Sequence, residues 1–565
     1  MKQIQRVNTN SGVRRKRNMK KFKRMIAGML TLAMMFCVTA CGEGESEEQL
    51  PQGGSQENGE LSPNEILVVG VSALPNGIDP EYHNSLEAMS LAANVYERLL
   101  DWEITTNENG TCVPDFDYSK IKGALAEKWW RSEDGKTIYF KLREGVLSNF
   151  GNELTAEDVK WRIDRADALD ALGVFHMFDC TGLSTSDNVK VEDKYTISIT
   201  TDDVSYIADI FYTHILCGII DSTEAKKHIT DADPWASDWL ATHAATFGPY
   251  YIDEWTPGSQ VVILANPNYY GEAPSIKKII YREIPNSANR LAMLQSGDID
   301  VFDWPLPEEV NQLRNVDGIK IEYHRSNLSL RIEPLCTDPI LSNVKVRQAL
   351  AYAFPYQEVM DTVYLGNASP MTSIQAYIYP FYENTYKYTT DLEKAKALLE
   401  EAGYGAGFDV TISIDSAKAD LERMCILYKT SLEKIGVNLA IEKLPTGDLY
   451  NKRLNYELQM YVNQDMAGFP DPQFAIAMFS TIASGMNYNR FHNDALEEAY
   501  AGAKYSLDEK VRSDAWKVMQ EEFANDVGWI MVCEPGYYLP VTDALSGGVW
   551  TPLNGFDFRH ATLNR

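Results

Sequence analysis

A mixed α/β fold with more than one sheet is predicted for this chain, on three observations. Short β-branched runs bounded by Gly and Pro alternate irregularly with stretches whose apolar residues recur at helical spacing. The chain has 565 residues, too many for one hydrophobic core, so two or three domains are expected. No later stretch reaches the ~20 consecutive apolar residues that a membrane-spanning helix needs.

The N-terminus is built as an export signal. Met19-Lys20-Lys21-Phe22-Lys23-Arg24 is a positive cluster, Met25 to Phe36 an apolar run, and Val38-Thr39-Ala40 sets small residues directly before Cys41. That order fits the signal of a bacterial lipoprotein: residues 1–40 would be removed and Cys41 acylated as the point of lipidation. Residues 41–64 open with Gly42-Glu43-Gly44-Glu45-Ser46-Glu47-Glu48. Dense charge and few apolar groups cannot offset the entropy of ordering, so this segment reads as a flexible tether.

Beyond it, Ile66 to Val71 reads as the first strand, and Ser85 to Leu100 as an amphipathic helix with Leu86, Met89, Ala92, Ala93 and Tyr96 on one face. Thr137 to Leu142, Tyr195 to Ile199 and Gln260 to Leu264 read as strands. Thr155 to Asp164 opens with a Thr-x-x-Asp capping pattern and is helical. A short helix over Asn289 to Ser296 stops at Gly297. Val344 to Ala353, Asp391 to Ala402, Ala419 to Ile435 and Asp494 to Ala503 are helical, and Gly403 and Gly436 follow as left-handed caps.

The chain carries 52 basic and 80 acidic side chains, and ten of the basic ones precede Cys41. The rest holds 42 against 80, a formal −38, which argues against nucleic acid as a partner, since phosphate binding needs clustered cations. Cys112, Cys180, Cys217, Cys336, Cys425 and Cys533 lie far apart with no CxxC; most are expected to be buried as small apolar groups. Eight histidines lack ligand spacing, and HExxH, GxSxG, P-loop and GxGxxG signatures are missing. No catalytic residue, metal or cofactor is expected. Asp298 and Asp300 could mimic a glycosidase pair, but so acidic a chain makes such pairs by chance.

Several segments then line up in order: Gly70-Val71-Ser72, Gly77-Ile78-Asp79-Pro80, Asn94-Val95-Tyr96-Glu97-Arg98-Leu99-Leu100 and Leu125-Ala126-Glu127-Lys128-Trp129. Gly151-Asn152-Glu153-Leu154-Thr155-Ala156-Glu157-Asp158-Val159-Lys160-Trp161 is the most diagnostic. Gly248-Pro249-Tyr250, Asn266-Pro267-Asn268-Tyr269-Tyr270, Gln295-Ser296-Gly297-Asp298-Ile299-Asp300 and Val346-Arg347-Gln348-Ala349-Leu350 follow. Over residues 65 to 555 the chain resembles family 5 extracellular solute-binding proteins, the oligopeptide-, dipeptide- and nickel-binding components of ABC importers. Most of these motif residues have a scaffold reading: turns, caps and, for Arg347, an ion pair or capped carbonyls.

The resemblance implies a two-lobed periplasmic-binding-protein-like fold of class II type. Lobe I would hold residues 65–325 plus 546–565, with an inserted subdomain at about 105–235, and lobe II residues 326–545. The chain would cross near Arg325 to Ile332 and return near Thr542 to Gly548. It further implies a monomer that captures a peptide between the lobes and delivers it to a membrane permease and ATPase, held by lipid on the outer face of the membrane. A nickel chelate, haem or oligosaccharide as cargo, and a surface receptor uncoupled from import, stay open.

Site residues are carried over by position. In peptide-binding relatives an aspartate of the second lobe pairs with the ligand's α-ammonium; the segment Tyr461-Val462-Asn463-Gln464-Asp465 matches it, with Val462 where relatives carry tryptophan. Asp465 is the expected anchor, with Asn463 and Tyr461 beside it, the alternative being a structural loop carboxylate. Asn487 and Tyr488 are further cleft candidates by family position. Tyr377, in a loop with Tyr379, Phe381, Tyr382 and Tyr386, either stacks on ligand or packs on its own domain.

Overall fold

A computed structural model describes residues 61–83, 85–466, 468–551 and 555–565; the signal, Cys41 and most of the tether lie outside them. Two mixed sheets dominate. The first has seven strands in the spatial order Tyr250–Thr256, Gln260–Ala265, Lys278–Glu283, Ile66–Val71, Val301–Phe302, Tyr537–Thr542 and Ile319–His324. Ile66–Val71 runs parallel to both of its neighbours, and the other pairings are antiparallel. The second has six strands in the order Ala368–Pro370, Ile530–Pro535, Leu328–Pro334, Met460–Met466, Phe408–Asp415 and Val437–Leu444.

The expected helices form where their end signals lie. Ser85 caps Leu86–Val95 by accepting from the Ala88 N–H, and Tyr96 ends the helix four residues before the expected Leu100, because Leu100–Trp102 is already a strand. Thr155 and Asp158 close a reciprocal capping box on Ala156–Leu169. Gly297, Gly403 and Gly436 take φ of 79°, 82° and 81°, the left-handed region in which a side chain is costly. Arg347 caps the carbonyls of Leu341, Ser342, Asp526 and Val527.

A four-stranded antiparallel sheet (Ala126–Arg131, Thr137–Leu142, Thr196–Thr200, Val189–Asp193) with the Ala156–Leu169 helix against it makes the additional subdomain inserted in the first lobe. The chain leaves the first sheet after His324 and enters the second at Leu328. It comes back earlier than the sequence suggested: Ile530–Pro535 belongs to the second sheet and Tyr537–Thr542 to the first, so Gly536 is the return point. Pro540, which has no N–H to donate, pairs opposite Ile321 inside this strand and masked it in the sequence.

Cys180, Cys217, Cys425 and Cys533 are buried and all six described cysteines are unpaired. Asp300 accepts from the Val68 N–H and pairs with Arg565 at 2.5 Å, a scaffold role. Among the described residues no helix is long and apolar enough to cross a membrane, and no cluster suits a metal ion.

Candidate functional site

The two crossing segments lie side by side. Ser326 Oγ donates to the Pro535 carbonyl at 2.5 Å, and the Gly536 N–H donates to Asn367 O at 3.0 Å. A cavity of about 180 Å³ opens beside them, walled by Trp304, Tyr537, Tyr538 and Trp550 from one lobe and Leu328, Tyr364, Asn367 and Gln464 from the other. Asp303 also lines it, accepting from Tyr537 Oη–H at 2.5 Å. Burial pushes its carboxyl up to about 6.

A second polar centre sits on the six-stranded sheet. Leu328–Pro334 pairs antiparallel with Met460–Met466, setting Ser329 opposite Asp465, Arg331 opposite Asn463 and Glu333 opposite Tyr461. Alternate residues share a face, so these six side chains meet. Arg331, 1% exposed, donates to Glu333 Oε1 at 2.9 Å and to Ser329 Oγ, lies 3.7 Å from Asp465 Oδ2, and stacks 3.8 Å over the Trp529 ring. Glu333 also accepts from the Tyr461 hydroxyl and from Asn463 Nδ2 at 2.9 Å. A separate, smaller cavity is lined by Ser329, Arg331 and Glu534; Glu534 pairs with Arg325 Nε at 3.0 Å and is pushed up to about 7 by burial.

Of the residues expected from sequence, Tyr461, Asn463 and Asp465 are brought together, with the Asp465 side chain 37% exposed. Tyr461 is buried, its hydroxyl committed to Glu333. Tyr488 joins from the side through Arg453, whose guanidinium lies 4.5 Å over its ring. Asn487 is different: its amide donates to the Thr481 and Phe491 carbonyls and accepts from the Phe491 N–H, so it staples its own loop. Tyr377 is exposed and stacks on Arg325 at 3.5 Å, Tyr379 is buried with its ring edge-on to Phe116 at 5.3 Å, and Phe381 meets Tyr118 at 6.0 Å, so this part of the aromatic loop packs against the first lobe, while Tyr386 is buried against Tyr356 of its own lobe. Arg331, Glu333, Asp303 and Trp304 did not stand out in the sequence. The readable signal for the first two was Ser329, Arg331 and Glu333 at alternate positions of an otherwise apolar strand.

Between lobes, the subdomain rests on the 468–474 segment. Tyr118 and Tyr206, the latter at 2.5 Å, donate their hydroxyls to Asp471, a fully buried carboxylate. His214 Nε2 meets Gly468 O at 2.9 Å, and the Phe211 and Phe469 rings lie 4.6 Å apart.

Two α/β lobes linked by paired crossing segments, with a cavity walled by both, define a two-lobed binding protein. The family model "Bacterial extracellular solute-binding proteins, family 5 Middle" matches residues 120–487, and the chain belongs to that family. It is 26% identical over 524 residues to the dipeptide-binding protein of Escherichia coli K12, covering 88% of this chain and 94% of that one. Among solved structures, HbpA2 from Haemophilus parasuis superposes with a TM-score of 0.78 at 23% identity, covering 88% of this chain and all of that one. The periplasmic binding protein DppA from Helicobacter pylori, in complex with the peptide STSA, gives 0.73 at 24% identity, covering 88% and 98%.

Proposed function

We propose that this protein is the capture component of an ABC importer and that its cargo is a peptide, enclosed between lobes comprising residues 61–325 with 537–565 and residues 328–535. The observation that carries the reading is the cavity at the crossover, walled from both sheets, where hinge closure would hide a small molecule from water. The cargo is supported by relatives named for dipeptides and by the peptide held in the Helicobacter protein. An extended peptide brings its own backbone donors and acceptors, which the polar edge at Asn463 and Asp465 can meet directly or through water. Asp465, part-exposed beside Arg331, is the charged contact on the second lobe, with Tyr461 and Tyr488 shaping its surroundings and Tyr377 at the rim. The cargo leaves chemically unchanged, the monomer passes it to a permease and ATPase, and lipid on Cys41 holds the protein on the outer face of the membrane.

The test strips the protein of bound material by partial unfolding, refolds it, and records its melting temperature with a peptide library, a nickel chelate, haem and oligosaccharides. Peptides are expected to raise it by several degrees and to be recovered intact by mass spectrometry. A rise with the non-peptides alone would overturn the cargo, and cleaved peptide would overturn the passive role.

A further inference from the structure

The crossover cavity has an unusual charge pattern. Among the described residues that line it, Asp303 alone is charged, and no Lys or Arg is among them. Five of the others are aromatic: Trp304, Tyr364, Tyr537, Tyr538 and Trp550. Two cations lie just outside the lining, and the charge of Arg290 reaches Asp303. Arg290 donates to the Ile284 and Pro285 carbonyls and lies over Phe302, while Arg314 is held by Asn367 Oδ1 at 2.7 Å from outside the lining.

The aromatic rings cluster on Tyr537, the residue that holds the carboxylate. Tyr537 donates its hydroxyl to Asp303 and meets the Trp304 ring edge-on at 4.8 Å and the Trp550 ring at 5.9 Å. Trp304 is 40% exposed although it borders an apolar wall. Its φ is +51°, a region that bulky residues rarely adopt, and it precedes Pro305, which restricts it further. The chain thus holds an indole beside Asp303 at a backbone cost, instead of burying it.

A carboxylate in a cavity lined by five aromatic side chains suits one ligand chemistry. Aromatic rings attract a cation and Asp303 supplies the counter-charge, with Glu87 adding to it and Arg290 offsetting it from outside the lining; a carboxylate placed there would meet the Asp303 charge directly. We propose that Asp303, Trp304, Tyr537 and Trp550 form an ammonium-binding subsite, distinct from the Asp465 region, that takes the protonated amine end of the cargo. The assignment rests on the reading of this cavity as the solute site but not on the cargo being a peptide. The amine can come from a chain terminus or from a side chain.

The test uses the stripped full-length protein and simple probes. Its melting temperature and tryptophan fluorescence are recorded with tetramethylammonium chloride, n-butylammonium chloride, sodium butyrate and sodium chloride at equal ionic strength. Both ammonium salts are expected to raise the melting temperature and perturb the fluorescence, and the two sodium salts to do neither. Asp303→Asn and, independently, Trp304→Ala, which removes a part-exposed ring, are expected to lose the response at least fivefold. Equal effects of all four salts, or an undiminished response in Trp304→Ala, would overturn the subsite. Calorimetry with tri-alanine, N-acetyl-tri-alanine and N-acetyl-lysyl-alanyl-alanine then separates terminal from side-chain amine. Failure of every peptide beside a positive ammonium response would sink the peptide reading and leave the subsite standing.

Discussion

Asp79 stands in the Gly77-Ile78-Asp79-Pro80 motif, and Arg165 grips both of its carboxylate oxygens, at 2.7 and 2.5 Å. Arg162 holds Glu81 next to it, and all four side chains are fully buried. The motif residue that helped to place the chain in its family is therefore a structural clamp between the first lobe and its subdomain helix. Asp79→Ala leaves a buried guanidinium without its bidentate partner, and a loss of about 3–5 kcal/mol in urea unfolding is expected; a loss below about 1 kcal/mol would refute the clamp. Glu534 acts through its charge state. Burial lifts its carboxyl from the ordinary 4.5 to about 7, against the pull of Arg325. The native state then binds a proton that the unfolded state has released, so this group's contribution is complete below pH 4.5 and is lost as pH rises through about 7. Its size is at most about 3 kcal/mol. Urea midpoints at pH 5 and pH 8 check it: Glu534→Gln is expected to shrink the fall between them, and an unchanged fall would assign the pH dependence elsewhere.

Helices were legible because their signals are local: Asp494–Ala503 forms over the expected residues, and Thr155 with Asp158 starts its helix as the capping pattern indicated. The crossing strands were less so, because pairing across a sheet is set by residues far away in sequence. Tyr537–Thr542 shows this, its pairing with Ile319–His324 linking segments more than 200 residues apart and hidden by Pro540. The site followed the same division. Tyr461, Asn463 and Asp465 are neighbours in one strand and could be read together, while Arg331 and Glu333 reach them only through register. Gly536 marks what the crossing demands. A Cβ there would lie 2.6 Å from the Tyr323 ring and 2.7 Å from the Tyr538 ring, and Tyr538 lines the cavity. Gly536→Ala is expected to cost about 1–3 kcal/mol as the rings shift and to weaken cargo binding severalfold by calorimetry. Wild-type stability and affinity together would show that the crossing has slack.

At the scale of the whole molecule, the proposed function needs lobes that close on the cargo and reopen, so beside aromatic pairs such as Phe211–Phe469 and Phe116–Tyr379 some of the contacts between them have to exchange readily with water. Asp471 fits that need. It lies in the second lobe, burial pushes its carboxyl above the ordinary range, and it is satisfied by the Tyr118 and Tyr206 hydroxyls of the subdomain and by the Gln473 N–H at 2.7 Å. Opening would hand this carboxylate to water, so the two phenols favour the closed arrangement only by the margin by which they exceed hydration, about 1.5–3 kcal/mol for each bond to a charged acceptor. That margin sets the population of the binding-competent state and scales the apparent affinity directly. The variant carrying both Tyr118→Phe and Tyr206→Phe keeps the rings that pack against Trp102 and Arg512 and removes only the donors. Small-angle scattering of the cargo-free variant is expected to give a larger radius of gyration than the wild type, and the apparent Kd for cargo is expected to rise at least tenfold. Equal radii with equal Kd would mean that the Asp471 contact follows closure without driving it, and that the Phe211–Phe469 packing holds the lobes together.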